Sequence, residues 1–266
     1  MKTIFNRDIE NNCSESANLP AMLQEAIIAL LKEESITDTG VDYENIKSSP
    51  IYTDLQNTIY PCFEEFDLAG LDTNEKKIAF WINLYHLLTI DADIRFSIRG
   101  NRKNGWPGMV HFLKKAAYTI HGMRFSLIDI EYGILRANRS WLCPFLKHFK
   151  GNDPRGLHCL ERIDPRIHFA LNRANRSNPP IAYYSAERLD AQLDLAAAYF
   201  IDCEVELDES GVALRIPRIF RRFRQDFGGK YDVLEWIHRY LPENDPRRVL
   251  IDHFDYQTMT IIKKFD

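Results

Sequence analysis

The chain has 266 residues, 45% hydrophobic and 27% charged, enough to bury a sizeable core in one large domain or two small ones. Thirty-four basic residues against 38 acidic ones leave a formal charge of -4 and a pI near 6.1. That balance lacks the clustered Lys and Arg that bind nucleic acid or an anionic membrane, so neither is expected as a partner. No apolar run in the sequence reaches membrane-spanning length, and Met1–Glu10 lacks the apolar stretch of a secretory signal. The five cysteines (Cys13, Cys62, Cys143, Cys159, Cys203) are odd in number and scattered, which suits reduced thiols and a cytoplasmic location better than a disulfide framework.

In chain order, residues 1–18 are polar and aperiodic and read as a loose arm, with one globular domain expected over 19–266. Leu23 to Leu31 has helical spacing, and Glu33 to Tyr43 reads as a loop. EKKIAFWINLYHLLTI, from Glu75 to Ile90, is apolar nearly all round and predicts a helix buried on most sides. Asn83 and His86 share a face of that helix, either as satisfied core groups or as the lining of a cleft. His121-Gly122 suits the turn of a hairpin spanning Tyr118 to Phe125. Ser126 and Asp129 then resemble a capping box opening a helix through Arg136. On that helix Glu131 sits amid Leu127, Ile128, Ile134 and Leu135, a carboxylate centred on an apolar stripe.

From Arg166 to Asn172 the residues alternate, which predicts a strand with Arg166, His168, Ala170 and Asn172 on one face. A loop (RANRSNPP), a helix around Ala186 to Phe200, and a hairpin joining Val205–Leu207 to Val212–Ile216 follow. Arg215 to Arg224 interleaves basic residues with Ile216, Ile219, Phe220 and Phe223, an amphipathic helix with a solvated face. The expected class is α+β: mostly helical, with a small antiparallel sheet made of hairpins and a central strand.

A buried carboxylate survives only with a partner, and the predicted strand offers Arg166 and His168 to Glu131. A His168–Glu131 pair would set up acid-base chemistry, whereas an Arg166–Glu131 pair would be structural. His158-Cys159, His111 and His253 lack metal-ligand spacing, and Gly105 to Gly108 (GWPG) is a turn, not a phosphate loop. No metal and no cofactor is expected.

Several strings together resemble domain-of-unknown-function family 547: VDY at 41–43, AFWINLY at 79–85, SLIDIEYGILR at 126–136, DPRIHFALN at 164–172 and SNPP at 177–180. LDAQLDLAAAYFI and PRIFRRFRQDF follow in the family's order, so the resemblance spans roughly 41–230. Asn83, Glu131, Arg166 and His168 match its pattern. Tyr132 stands where the family commonly has His, and Asn178 where it commonly has Cys. An amide has no thiolate form, so the resemblance implies no cysteine nucleophile here. It implies a non-catalytic member that binds a small ligand or protein partner at the family cleft through Asn83, Arg166, Asn172 and Asn178. The alternatives are a hydrolase or transferase using His168 and Glu131, and an interaction module built on the basic helix.

Overall fold

The computed structural model describes residues 13–252, apart from 14, 34, 38–39, 97–112, 142, 144, 174–178, 210, 212 and 230–231. Ser177, Asn178, His111, His253 and the GWPG turn lie outside the described residues. The fold is mostly helical α+β, and among the described residues the strands occur as two-stranded antiparallel ladders. The chain forms two compact units: Met1–Ile163 with Leu171–Ala174 and Pro180–Leu189, and Asp164–Ala170 with Asn175–Pro179 and Asp190–Asp266.

The first unit opens with α1, Leu19–Lys32, whose Leu19, Leu23, Ala26, Ile27 and Leu30 form one buried stripe at helical spacing. Ile36–Thr37 (β1) and Gly40–Val41 (β2) pair within the stretch expected to be loop. Short helices α2, Tyr43–Ser48, and α3, Pro50–Asp54, start at side-chain caps: Asp42 accepts from the Asn45 amide and the Ser49 hydroxyl from that of Ile51. Tyr60–Glu65 is α4, followed by α5, Asn74–Phe96, which contains the predicted apolar helix and extends past it. Trp81, Ile82, Leu84, Tyr85, His86 and Leu88 are all fully buried, so α5 is wrapped on every side.

Ala117–Ile120 (β3) and Met123–Ser126 (β4) pair in register around His121 and Gly122, with φ of +48° and +69°. A two-residue turn with both φ positive matches the right-handed twist of the flanking strands. Ser126 and Asp129 do form the reciprocal cap: the Ser126 amide donates to Asp129 at 2.9 Å and the Asp129 amide to the Ser126 hydroxyl at 3.3 Å. The segment beyond the cap, Asp129–Leu135, is a π-helix. Its wider turn is visible where the Arg136 amide bonds the Glu131 carbonyl and the Asn138 amide that of Gly133, five residues back.

The second unit holds α6, Ile167–Ala170, where a central strand was expected. Two features override the alternation. Asp164-Pro165 is a helix start, with Asp164 accepting from the Arg166 amide at 2.9 Å and Pro165 supplying a preset φ. The alternating polar residues also have no solvent to face, since Ile167, His168, Phe169 and Ala170 are all buried. Leu189–Glu204 is α7, and Glu206–Leu207 (β5) pairs with Leu214–Arg215 (β6) as the predicted hairpin. The basic helix is short, α8 at Arg218–Arg222, with Phe220 inward and Arg218, Arg221 and Arg222 exposed. It is followed by α9, Asp232–Tyr240, and α10, Pro246–Asp252. Phe169, Phe200, Phe220 and Phe227 form this unit's aromatic core, with ring centroids 5.0 to 6.5 Å apart.

The thiol reading is corrected at one pair: Cys13 and Cys62 form a disulfide, while Cys143, Cys159 and Cys203 are free. Sequence spacing gives no clue to two cysteines 49 positions apart, which only tertiary packing brings together. Trp81 fills the middle of α5 with no exposed surface, so Trp81→Ala leaves a cavity that costs about 3 to 5 kcal/mol. Urea denaturation measures this, and an unchanged midpoint contradicts the central place of α5.

Candidate functional site

The polar groups of α5 are aimed at the backbone of two other segments. The Asn83 amide nitrogen donates to the Tyr184 carbonyl at 2.7 Å, and the Asn83 oxygen accepts from the Tyr184 amide at 2.9 Å. One side chain thereby satisfies both backbone groups of one residue. His86 acts one turn on: Nδ1 lies 3.0 Å from the Ala182 carbonyl, and Nε2 accepts from the Asn172 amide at 3.4 Å. A carbonyl only accepts, so the proton is on Nδ1 and the lone pair on Nε2, a neutral ring of defined tautomer. Asn172 is buried beside it. Asn83 and His86 together pin the chain on both sides of residues 174–178.

Glu131 adds a third fastening. Its carboxylate meets the Arg173 guanidinium in a two-pronged contact, Nη2 to Oε1 at 2.9 Å and Nε to the two oxygens at 3.1 and 3.2 Å. Tyr85 of α5 donates to the same carboxylate at 3.4 Å. The Glu131 and Arg173 side chains are 1% and 7% exposed, so both charges are out of water. Burial alone would lower the Arg173 pKa, but the Glu131 charge and the neighbouring Tyr85 and Tyr132 outweigh it and hold the guanidinium above its ordinary value. The burial of Glu131 agrees with expectation; its partner does not, being Arg173 where Arg166 or His168 was predicted. Tyr132, at the family's His position, is buried under the Arg136 guanidinium, 4.7 Å above its ring. Gly133 follows because the Phe149 ring lies where a Cβ would project.

The predicted partners have other acids. His168 Nε2 is 2.8 Å from Asp226, both side chains fully buried, and the ring stacks on Phe223 at 4.0 Å. Arg166 binds Asp164, Asp190 and Asp194 at 2.7 to 2.9 Å. Both sets lie in the second unit, whereas Asn83, Glu131 and Asn172 lie in the first. Sequence reasoning missed Arg173, Tyr85, Tyr184 and Asp226. Arg173 carried a usable signal: it is the first cation after the buried run Ile167–Asn172, and a buried Glu needs a cation.

Asn83 and Tyr184 also border a cavity of about 490 Å³ in the first unit. Its apolar lining is Leu71, Ala79 and the stacked Phe66 and Phe80, together with Ala17, Pro20 and Ala21 on the approach to and first turn of α1. Glu65, Asp67 and Glu187 stand at its edge against one cation, Lys76, which is 2.8 Å from Asp72.

A family model described as "Protein of unknown function, DUF547" matches residues 68–201, half of the chain. The chain belongs to the DUF547 family. The matched stretch carries α5, the Glu131–Arg173 pair and the segment pinned by Asn83 and His86, but not Asp226. No curated protein and no solved structure matches the chain.

Two further polar clusters in this DUF547 member hold the first unit together. Asp91 of α5 accepts from Tyr52 at 2.5 Å, Tyr60 at 3.0 Å, Tyr118 at 3.2 Å and Arg95 at 2.7 Å. Burial, and then the Asp91 charge, raises all three phenols above their ordinary pKa, so they remain donors. Asp129 receives Ser126 at 2.5 Å and His148 at 2.8 Å, with Arg155 3.3 Å away. Burial pushes the Asp129 carboxyl up, but these hydrogen bonds and the Arg155 charge prevail and hold it below the ordinary carboxylate value.

The Glu131–Arg173 geometry predicts losses of about 3 to 5 kcal/mol for Glu131→Ala or Arg173→Ala alone, since each strands a buried charge. Glu131→Ala combined with Arg173→Ala should cost much less than the sum of the two single losses, and additive losses in this double-mutant cycle contradict direct coupling. The Asp129 shift has a definite sign. A depressed folded-state pKa contributes stability that is present above the unfolded value near 4 and is lost as pH falls through the folded value. The stability difference between wild type and Asp129→Asn should therefore shrink in urea titrations taken below about pH 4; a constant difference refutes the assignment.

Proposed function

We propose that this DUF547 member is a non-catalytic binding protein whose site is the cavity bordered by Asn83 and Tyr184. The single observation behind this reading is the cavity itself, about 490 Å³ and walled by Phe66, Leu71, Ala79 and Phe80, within the size range of small-molecule sites. Asn83 enters as the residue that fixes the Tyr184 wall, with both ends of its amide already engaged. The occupant that suits an apolar wall and an edge of three carboxylates is a small molecule with an apolar body and a cationic group. Asn172 in the first unit, and Arg166 and Asn178 in the second, are proposed as binding residues on the family resemblance alone, with Asn178 in place of the thiol.

Acid-base chemistry by a His168–Glu131 couple draws no support, because Glu131 is engaged by Arg173, and His168, paired with Asp226 and stacked on Phe223, has no surface open to a substrate. The cytoplasmic location expected from reduced thiols is weakened by the Cys13–Cys62 disulfide, which suits an oxidising compartment better. No helix among the described residues is long and apolar enough to cross a membrane.

The test uses phenethylamine, uncharged 2-phenylethanol and anionic phenylacetate as probes in amide NMR titrations. Phenethylamine should perturb residues around Phe66, Phe80 and Tyr184 more strongly than phenylethanol, and phenylacetate least. Ala21→Trp, a plug from an exposed helical position on the cavity wall, should abolish the perturbation. Perturbation that survives the plug, or none with any probe, overturns the proposal.

A further inference from the structure

Among the described residues few large apolar side chains are exposed, and three of the most exposed fall close together in sequence: Phe145 at 85%, Leu146 at 56% and Leu157 at 83%. Phe145 and Leu146 lie in a loop closed by a bridge between its ends. Arg139 and Lys147 pair as an antiparallel bridge at its neck, and the Ser140 amide bonds the Leu146 carbonyl at 2.8 Å. The Leu146 amide in turn bonds the Cys143 carbonyl at 3.0 Å, closing the head.

The base of the loop is rigid. Ala137 and Asn138 take left-handed φ of +50° and +62°, and the Asn138 side chain accepts from the Phe149 amide at 2.7 Å. Phe149 is buried against Gly133, and His148 is held by Asp129 at 2.8 Å.

Charge around the head is one-sided despite the chain's net charge of -4. Between residues 139 and 158 the sequence places Arg139, Lys147, Lys150 and Arg155 against one acid, Asp153, and that acid is engaged by Arg155 at 2.7 Å. Lys114 lies 4.4 Å over the ring of Trp141, which is partly exposed at the side of the loop. The whole-chain balance that disfavoured membrane contact averages this asymmetry away.

We propose that the side chains of Phe145, Leu146 and Lys147, with Trp141 beside them, dock the protein on an anionic lipid bilayer surface. Phe145 and Leu146 enter the boundary between headgroups and acyl chains, Trp141 lies at headgroup level, and Arg139, Lys147, Lys150 and Lys114 face lipid phosphates. Two apolar side chains cannot supply the roughly 800 Å² per partner of a stable protein interface, whereas interfacial lipid binding needs only a few such residues beside several cations. The contact is peripheral and reversible, and independent of the cavity proposal.

The experiment is co-sedimentation of the full chain with phosphatidylcholine vesicles, with and without phosphatidylglycerol, at low and high salt. Binding to the anionic vesicles at low salt, weakened by salt, is expected. Phe145→Ser combined with Leu146→Ser should lower the partition coefficient by about tenfold or more. Lys147→Gln should lower it by roughly fivefold. Leu195→Ser, a comparably exposed apolar position in the second unit, should leave it unchanged. Circular dichroism and melting of the variants confirm that these exposed changes leave the fold intact. No binding to anionic vesicles, equal binding to neutral ones, or binding indifferent to Phe145 and Leu146 overturns the proposal. So does a dimer that the loop double variant dissociates while vesicles remain unbound, which assigns the loop to a second copy of the chain.

Discussion

A carboxylate and a guanidinium buried together constrain this protein more than any other pair of side chains described. Glu131 and Arg173 are 42 positions apart, and each is tolerable out of water only because the other is there. The contact ties the π-helix to the start of the 174–178 segment. Asn83 and His86 complete the fastening from α5, holding Asn172 before the segment and Ala182 and Tyr184 after it. In this arrangement the polar residues of the central helix serve the backbone of Asn172, Ala182 and Tyr184, which belong to no helix or strand. A buried stretch without helix or sheet must find hydrogen-bond partners among side chains, and Asn, with one donor end and one acceptor end, suits a residue that has both groups free.

The π-helix is part of the same solution. Its wider turn places Glu131 toward Arg173 and Tyr85, while Asp129, two residues earlier, reaches Ser126 and His148. Two buried carboxylates so close in sequence each need a separate set of donors. The Phe149 ring is seated on Gly133, and the Phe149 amide bonded to Asn138 fixes the base of the loop that carries Phe145 and Leu146. Local packing near the buried acids and the exposed apolar head are thus consequences of one stretch, Ser126 to Phe149.

Much of this was legible in residues and spacing. The length and apolar character of Glu75 to Ile90 were enough to place α5 in the core, because no surface helix is apolar all round. Glu131 amid Leu127, Ile128, Ile134 and Leu135 announced its own burial, and His121-Gly122 its turn. The partner of Glu131 was not legible, since an alternating pattern at 166–172 was read as a strand. Alternation implies a solvated face, and that inference fails where both faces are covered, as at His168. The capping signal of Asp164-Pro165 was the better guide. Asp226 lies 58 positions from His168, and Cys13 lies 49 from Cys62; neither pairing has a local signature, because both arise from tertiary packing.

Family membership locates the account without supplying a reaction, so the weight falls on what the buried polar groups do. Their role is to hold the walls of a cavity and the flanks of the segment that carries Asn178. The most direct measurement is amide hydrogen exchange at Tyr184 by NMR in wild type and in Asn83→Ala. The account predicts that in wild type the Tyr184 amide exchanges only as slowly as the core of α5, and that Asn83→Ala frees it by orders of magnitude while α5 stays protected. A Tyr184 amide that exchanges in wild type at the rate of an open peptide would contradict it.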